Sequence, residues 1–148
     1  MQTPVYRVVL DTNQMIAAGT RWLEGEQPQS GDNTCRRLLI RVAQSHCGLY
    51  CGKIIGEYLE KLVDRNHPHE RALKMIAYVM GAFTKVPIVT ASAPVQPSDP
   101  DDEVFLLCAL DGQAHYLVSE DRSLLALKES YAQPIIGGSE EVAQVLGV

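Results

Sequence analysis

Two short apolar segments, far apart in the chain, each run directly into acidic residues. Residues 6–10 are largely apolar and lead into Asp11, and residues 114–118 lead into Ser119, Glu120 and Asp121. Both segments are predicted to be buried strands. The chain between them shows helical periodicity, and strands that alternate with helices favour a parallel sheet covered on both faces. We therefore expect an α/β fold, a three-layer α/β/α sandwich with a mainly parallel central sheet.

The rest of the pattern predicts further helices and strands. Apolar residues at helical spacing predict helices over residues 35–46, 53–65 and 69–83. Thr34 is expected to cap the first of these, and Met80 to lie on the buried face of the third. Short helices are predicted over residues 103–110 and 123–128, and a last helix over residues 140–146 with Ser139 as its cap. Further strands are predicted over residues 86–89 and 134–136, and loops over residues 25–33 and 91–100.

Length and composition set limits on the class of protein. The chain has 148 residues, of which 46% are hydrophobic, so we expect a single domain over residues 1–148. Its four cysteines show no CxxC spacing, which favours free thiols in a reducing cytosol over a zinc or redox motif. The first residues contain no apolar signal core, and the longest strongly apolar stretch, residues 75–83, is much shorter than the ~18 residues that span a bilayer. We expect a soluble, cytoplasmic protein with no membrane segment.

The charge is divided along the chain. The net charge is −5, which by itself argues against a nucleic-acid partner. Residues 35–74, however, contain eight Lys and Arg against four Asp and Glu, whereas residues 86–148 contain two against ten. Such a chain can present a basic face beside an acidic pocket, so a nucleic-acid partner stays possible. Arg36, Arg37 and Arg41 are expected on a solvated helix face, with contacts to RNA phosphates as the alternative.

The acidic residues suggest a metal site. Ligands of parallel sheets bind beyond the carboxyl ends of the strands, which is where Asp11 and Asp121 are predicted to lie. Asp102 begins the helix that leads into the second of these strands, whereas spacing alone does not place Glu57. Carboxylates that converge without matching arginines repel one another, and Mg²⁺ or Mn²⁺ would cancel the repulsion because hard cations prefer oxygen ligands. Two such ions suit the hydrolysis of phosphodiesters.

Four segments of the chain resemble, in order, the four motifs of the PIN-domain family. They are residues 8–13 (VVLDTN), 54–59 (IIGEYL), 99–106 (DPDDEVFL) and 116–125 (YLVSEDRSLL). The resemblance extends from about residue 6 to residue 136. It implies a PIN-like fold and a metal-dependent endoribonuclease that cleaves single-stranded RNA. Many members of the family are VapC-like toxins of toxin–antitoxin pairs.

The resemblance also implies roles for individual residues. The catalytic and metal-binding residues would be Asp11, Glu57, Asp102 and Asp121, with Mg²⁺ or Mn²⁺ as the cofactor. Asn13 and Ser119 would orient these carboxylates through hydrogen bonds. At Glu120 the chain departs from the family, where a glycine or a basic residue is more usual, and the extra acid would either add a ligand or weaken the approach of RNA.

Simpler interpretations stay open for each acid. The two acids that follow strands could instead cap the next helix, and Glu57 could pair with a lysine one turn away. Either Asp99 or Asp101 could take the place of Asp102.

Partners and alternative functions follow from the same resemblance. The expected partners are an RNA substrate, an antitoxin protein and a second copy of the chain, for which Tyr78, Met80 and Phe83 would supply a surface unless they are core. The alternatives are a structure-specific DNA nuclease and a non-catalytic nucleic-acid-binding PIN module. A phosphatase domain is disfavoured because Asn13 occupies the position where a second aspartate would be needed, and a phosphoacceptor domain is disfavoured because the chain has no lysine between Lys85 and Lys128.

Overall fold

The predicted first strand is the centre of the sheet. In the computed structural model, which describes residues 4–19 and 33–148, β1 (Arg7–Leu10) belongs to a five-stranded parallel sheet. The other strands are β2 (Cys47–Tyr50), β3 (Thr84–Lys85), β4 (Tyr116–Val118) and β5 (Ile135–Gly137). Their order is β3-β2-β1-β4-β5, and every neighbouring pair is parallel. Val8, Val9 and Leu10 are almost completely buried, as expected for a strand covered on both faces.

Helices cover the sheet. In the described part of the chain they are α1 (Thr12–Gly19), α2 (Thr34–Ser45), α3 (Gly52–Asp64), α4 (His69–Ala82), α5 (Glu103–Asp111), α6 (Arg122–Leu125) and α7 (Ser139–Leu146). A short 3-10 helix, Pro100–Asp102, leads into α5. Helices α1, α2, α3 and α4 pack on one another, whereas α5 packs directly against β1, β2 and β4. The predicted three-layer α/β/α fold with a parallel sheet is confirmed.

The order of the strands places a crevice between β1 and β4. From β1 the chain builds β2 and β3 on one side of the sheet, and it then crosses to build β4 and β5 on the other side. Leu10 pairs with Val118 in the register of the sheet, so both strands end at the same level. In sheets of this kind, ligands bind outside the carboxyl ends of the strands where the order reverses.

Two strands differ from the prediction. β2 was not predicted, because its sequence, CGLY, contains a glycine that weakens any local strand signal. It forms through pairing with β1, and the position of Gly48 against the ring of Phe83 leaves no room for a side chain there. The prediction of a strand over residues 86–89 is wrong, because β3 covers only Thr84–Lys85. The N–H of Val86 still donates to the carbonyl of Tyr50. The chain then leaves the sheet at Pro87, which has no N–H to donate.

Several helix details also need correction. Helix α1 was not predicted at all. Asn33 rather than Thr34 caps α2, since its side chain accepts the N–H of Arg36. Gly138 rather than Ser139 is the capping position of α7. Apart from Asn33, the loop predicted over residues 25–33 lies outside the described residues.

Two side chains, Met80 and Arg36, lie elsewhere than predicted, whereas Phe83 is buried as expected. Met80 is 51% exposed and so does not belong to the core. Arg36 is only 1% exposed, which contradicts its placement on a solvated face. All four cysteines have free thiols, as predicted. No helix of the described residues is both long enough and apolar enough to cross a bilayer.

Candidate active site

Asp11 lies at the crevice, immediately after β1. Its backbone N–H donates to the carbonyl of Val118 over 3.0 Å, which extends the pairing of β1 with β4 by one residue. Its Oδ1 accepts the N–H of Gln14 in the first turn of α1, and its Oδ2 accepts the hydroxyl of Ser119. The side chain is only 3% exposed. Asp11 therefore caps α1, as the simpler interpretation requires, but it does so as a buried carboxylate facing the end of β4.

Ser119 joins two acidic residues. It follows β4, is fully buried, and donates its hydroxyl to Asp11. The same hydroxyl oxygen accepts the backbone N–H of Asp121 over 2.9 Å. This serine therefore fixes the loop after β4 relative to the carboxylate after β1. It touches the carboxylate as predicted for an orienting residue, although it does not line the pocket itself.

The four predicted ligands come together in one pocket. A cavity of about 340 Å³ opens beyond the ends of β1 and β4 and is lined by Asp11, Glu57, Asp102 and Asp121. Asn13 also lines it as an exposed side chain. The remaining lining residues are Thr12, Ile16, Lys61, Asp64, Arg65, Asp99, Asp101 and Phe105. The pocket thus contains seven carboxylates and two cations, and it contains neither histidine nor cysteine.

Burial, together with repulsion between neighbouring carboxylates, raises the pKa of three acids of the pocket. Burial raises the pKa of Asp11 from an ordinary value of 3.8 to about 6, against the opposing effect of the hydrogen bond from Ser119. Burial and the neighbouring charge of Asp121 raise the pKa of Asp102 to about 6. Burial also raises the pKa of Glu57. Carboxylates with such raised values are costly to keep ionised, and a bound cation would remove that cost.

The local hydrogen bonds distinguish the three aspartates near the start of α5. Asp99 accepts the N–H of Asp101 over 3.0 Å and so caps the 3-10 helix. Asp101 is exposed. Asp102 has no capping bond, and its Oδ2 is buried without a hydrogen-bond partner. Of the three, Asp102 therefore has the oxygen that most needs a ligand.

The simpler interpretations hold to different degrees for the other acids. Asp121 Oδ1 accepts the N–H of Ser123 over 3.0 Å, so this side chain does cap α6 while it lines the pocket. Glu57 forms no ion pair within 4.0 Å among the described residues. The hydroxyl of Thr12 is close enough to lower the pKa of Glu57, although it makes no hydrogen bond of normal geometry. Pairing with a lysine therefore does not explain Glu57.

The donor set fits a hard divalent cation, but the carboxylates predicted to bind it do not converge on one point in the described residues. The pocket offers carboxylate oxygens, which Mg²⁺ and Mn²⁺ prefer, and one of them is the unpartnered Oδ2 of Asp102. Within the described residues, no three acidic, cysteine or histidine side chains stand close enough together to hold an ion as they are. Binding of an ion would therefore require the carboxylates to rotate towards it.

Glu120 does not belong to this pocket. Its Oε1 accepts the N–H of Ser139 over 2.6 Å and the hydroxyl of Ser139 over 2.7 Å, at the start of α7. These bonds lower the pKa of Glu120. A side chain at Gly138 would lie 2.6 Å from the same carboxylate, so the glycine makes this approach possible. The extra acid after β4 thus stabilises the first turn of α7, where a negative charge is favourable.

Sequence reasoning missed Tyr58 as a residue of the site. Its ring is fully buried next to Phe105, and its hydroxyl donates to the carbonyl of Leu10, one residue before Asp11. Since Tyr58 follows Glu57 on α3, this bond fixes the helix that carries Glu57 against the end of β1. An apolar helical stripe predicts that Tyr58 is buried, but it does not reveal the partner of its hydroxyl.

Comparison with known proteins gives a match to a protein family. A family model described as a PIN domain matches residues 7–123, which is most of the chain and includes all four carboxylates of the predicted site. None of the curated proteins matches the chain.

Proposed function

The chain belongs to the PIN-domain family, whose members are typically nucleases, and we propose that it is a metal-dependent endoribonuclease that cleaves single-stranded RNA. The observation that carries the proposal is that two acids with raised pKa values line one pocket. Asp11 and Asp102 reach the same cavity from different parts of the chain, and both have a pKa of about 6. A nuclease can use such carboxylates to hold divalent cations at a scissile phosphate.

The proposed ligands are Asp11, Glu57, Asp102 and Asp121. These residues would hold Mg²⁺ or Mn²⁺, which would supply an activated water and would offset negative charge at the phosphate. The protein keeps the ligands in place: Ser119 and the N–H of Gln14 hold Asp11, and Ser119 ties the backbone of Asp121 to it.

Two residues complete the proposed machinery. Tyr58 holds α3 against β1 and thereby positions Glu57 at the pocket. Asn13 lines the pocket but makes no hydrogen bond to a carboxylate of the described residues. Its proposed role in orienting the carboxylates therefore rests on the resemblance to the family.

The proposal is tested by incubating the protein with end-labelled single-stranded RNA in Mg²⁺, in Mn²⁺ and in EDTA. Single-stranded DNA of the same sequence and duplex RNA serve as parallel substrates. We expect metal-dependent internal cleavage of the single-stranded RNA, with 5′-phosphate and 3′-hydroxyl ends and with loss of cleavage in Asp11→Asn. Preferential cleavage of DNA would favour a structure-specific DNA nuclease. Binding of RNA without cleavage in either metal would favour a non-catalytic module.

The cellular role is a further part of the proposal. We propose that the protein acts in the cytoplasm as the toxin of a toxin–antitoxin pair, bound by an antitoxin protein and forming a homodimer. Of the three residues predicted for the dimer surface, Met80 is exposed, Tyr78 is half-buried and Phe83 is buried, so only part of that surface is accessible. Growth arrest on expression of the wild type, but not of Asp11→Asn, would support the toxin role. Unimpaired growth with active nuclease present would contradict it.

A further inference from the structure

A second depression adjoins the acidic pocket along α3. It has a volume of about 520 Å³ and is lined by Lys53, Gly56, Glu57, Glu60, Lys61 and Asp101. Glu57, Lys61 and Asp101 line both cavities. The two cavities therefore form one groove along the exposed side of α3, which we call the α3 groove, with Glu57 where they meet.

Cations lie on both sides of Glu57 in this groove. Lys53 lies one helical turn before it, whereas Lys61 and Arg65 lie one and two turns after it. From Lys53 to Arg65 the helix axis spans ~18 Å. All three side chains are exposed, and none forms an ion pair within 4.0 Å with a carboxylate in the described part of the chain. Their charges are therefore available to a ligand.

The fold itself does not explain the position of Lys53. A cation in the first turn of a helix adds to the positive end of the helix dipole, which is unfavourable for the helix and favourable for a bound anion. Lys61 and Arg65 lie near the opposite end of α3 and also line the acidic pocket. A polyanion that approaches seven carboxylates needs compensating cations close by, and these three residues provide them.

Gly56 leaves bare backbone between the cations. It lies in the interior of α3 and lines the groove. Glycine in a helix interior is less favourable than alanine, and a Cβ atom at this position would meet nothing within 4 Å. No contact within the protein therefore requires a glycine here. A ligand that lies close to the helix backbone would require one.

We propose that the α3 groove binds the sugar–phosphate backbone of single-stranded RNA across the carboxylates. Lys53 contacts a phosphate on one side of the scissile bond, Lys61 and Arg65 contact phosphates on the other side, and the strand passes over Gly56. The proposal rests on the nuclease function proposed above and adds the path of the substrate to it.

The first test is steric and uses a matched pair of glycines. Gly56→Leu would fill the groove, whereas Gly81→Leu places the same side chain on α4, where a Cβ atom also meets nothing within 4 Å. Both variants should be at least as stable as the wild type in thermal unfolding, because leucine favours helices over glycine. We expect Gly56→Leu to raise KM for single-stranded RNA at least tenfold with little change in kcat, as loss of uniform binding does. An unchanged KM in Gly56→Leu would overturn the proposal.

The second test measures phosphate contacts through the dependence of binding on salt. Binding of labelled single-stranded RNA is followed by fluorescence anisotropy at pH 8 in Mg²⁺, with Asp11→Asn as the background so that no cleavage intervenes. Adding Lys53→Ala, Lys61→Ala or Arg65→Ala should each reduce the slope of log affinity against log salt concentration by ~0.7. Lys74→Ala, which removes an exposed lysine paired with Glu70 on α4, should leave the slope unchanged.

The two proposals can fail separately. If the wild type cleaves RNA but the groove variants keep its KM and its dependence of affinity on salt, the proposed path of RNA along the α3 groove is wrong and the proposed nuclease function is unaffected. If the wild type cleaves no RNA while the groove variants bind RNA more weakly and with a smaller dependence on salt, the proposed nuclease function is wrong and the proposed RNA path along the α3 groove is supported.

Discussion

Replacing Asp11 with asparagine should make the metal-free protein more stable while it abolishes RNA cleavage. The carboxyl group is 3% exposed, and its pKa is about 6 in place of an ordinary 3.8. At a pH above both values, this difference corresponds to ~3 kcal/mol by which the ionised carboxylate destabilises the folded state. Asparagine removes the charge with little change in volume. Its Oδ1 can accept the N–H of Gln14, and its amide N–H can donate to Ser119.

The assay is urea denaturation at pH 8 in EDTA, supported by thermal unfolding. The free energy of unfolding of Asp11→Asn should exceed that of the wild type by up to ~3 kcal/mol, and its Tm should be higher by ~6–12 °C. Mg²⁺ should stabilise the wild type but not the variant, because only the wild type retains all four proposed ligands. RNA cleavage should fall to background in the variant.

A control carboxylate should respond in the opposite direction. Hydrogen bonds from Thr90 lower the pKa of Asp111, which lies outside the acidic pocket. Asp111→Asn should therefore reduce stability at pH 8 and leave RNA cleavage intact. If Asp11→Asn were less stable than the wild type in EDTA, burial of a charged carboxylate at the end of β1 would be the wrong explanation. If it still cleaved RNA at the wild-type rate, the assignment of the site would be wrong.

Three further predictions concern pH and packing. Because the pKa of Asp11 is raised in the folded state, its carboxylate costs no stability below about pH 4 and costs stability increasingly as pH rises through 6. In EDTA, the greater stability of Asp11→Asn over the wild type should therefore disappear between pH 7 and pH 4. A stability difference that does not depend on pH would contradict this explanation. Glu120→Gln should lower the free energy of unfolding by ~1 kcal/mol, because glutamine accepts the hydrogen bonds of Ser139 at the start of α7 more weakly. The same variant should keep the Mn²⁺ affinity of the wild type in calorimetry. A loss of Mn²⁺ affinity would show that Glu120 is a metal ligand. Gly48→Ala should lower the free energy of unfolding in urea by ~1–3 kcal/mol, because the new Cβ would lie 2.5 Å from the ring of Phe83. A variant as stable as the wild type would contradict that packing.

The part of the site at the sheet edge was predictable from the sequence. Asp11 and Asp121 each follow a buried strand, and the carboxyl ends of parallel strands share one edge. That rule places both residues in one crevice if β1 and β4 are neighbours, as they are. The family resemblance then predicts Glu57 and Asp102, which reach the same pocket from helices.

Other features of the site depend on contacts between distant residues and could not be predicted. The unpartnered Oδ2 of Asp102 depends on how the 3-10 helix packs, and the bond from Tyr58 to the carbonyl of Leu10 joins α3 to β1. Glu120 looked like an additional acid of the pocket, but its carboxylate lies at the start of α7. No local pattern around these residues reveals such partners.

The errors in the fold have local causes. β2 contains glycine and only four residues, so it depends on pairing with β1 rather than on its own strand propensity. The sequence of helix α1 does carry a helical signal, although Asp11 as a possible cap predicts neither the length nor the bounds of the helix. Asp11 is a good capping residue, and Met15, Ile16 and Ala18 follow at spacings typical of a helix that packs on one face.

The account depends most directly on the binding of a divalent cation by the carboxylates of the pocket. Isothermal titration of Mn²⁺ at pH 8 should compare the wild type with Asp102→Asn and with Asp99→Asn, and RNA cleavage should be measured in the same samples. Asp102 has an unpartnered buried oxygen, whereas the neighbouring Asp99 caps the 3-10 helix, a bond that asparagine can keep. We expect Asp102→Asn to lose at least tenfold in Mn²⁺ affinity together with RNA cleavage, and Asp99→Asn to retain both. Wild-type Mn²⁺ affinity and cleavage in Asp102→Asn would contradict the central claim.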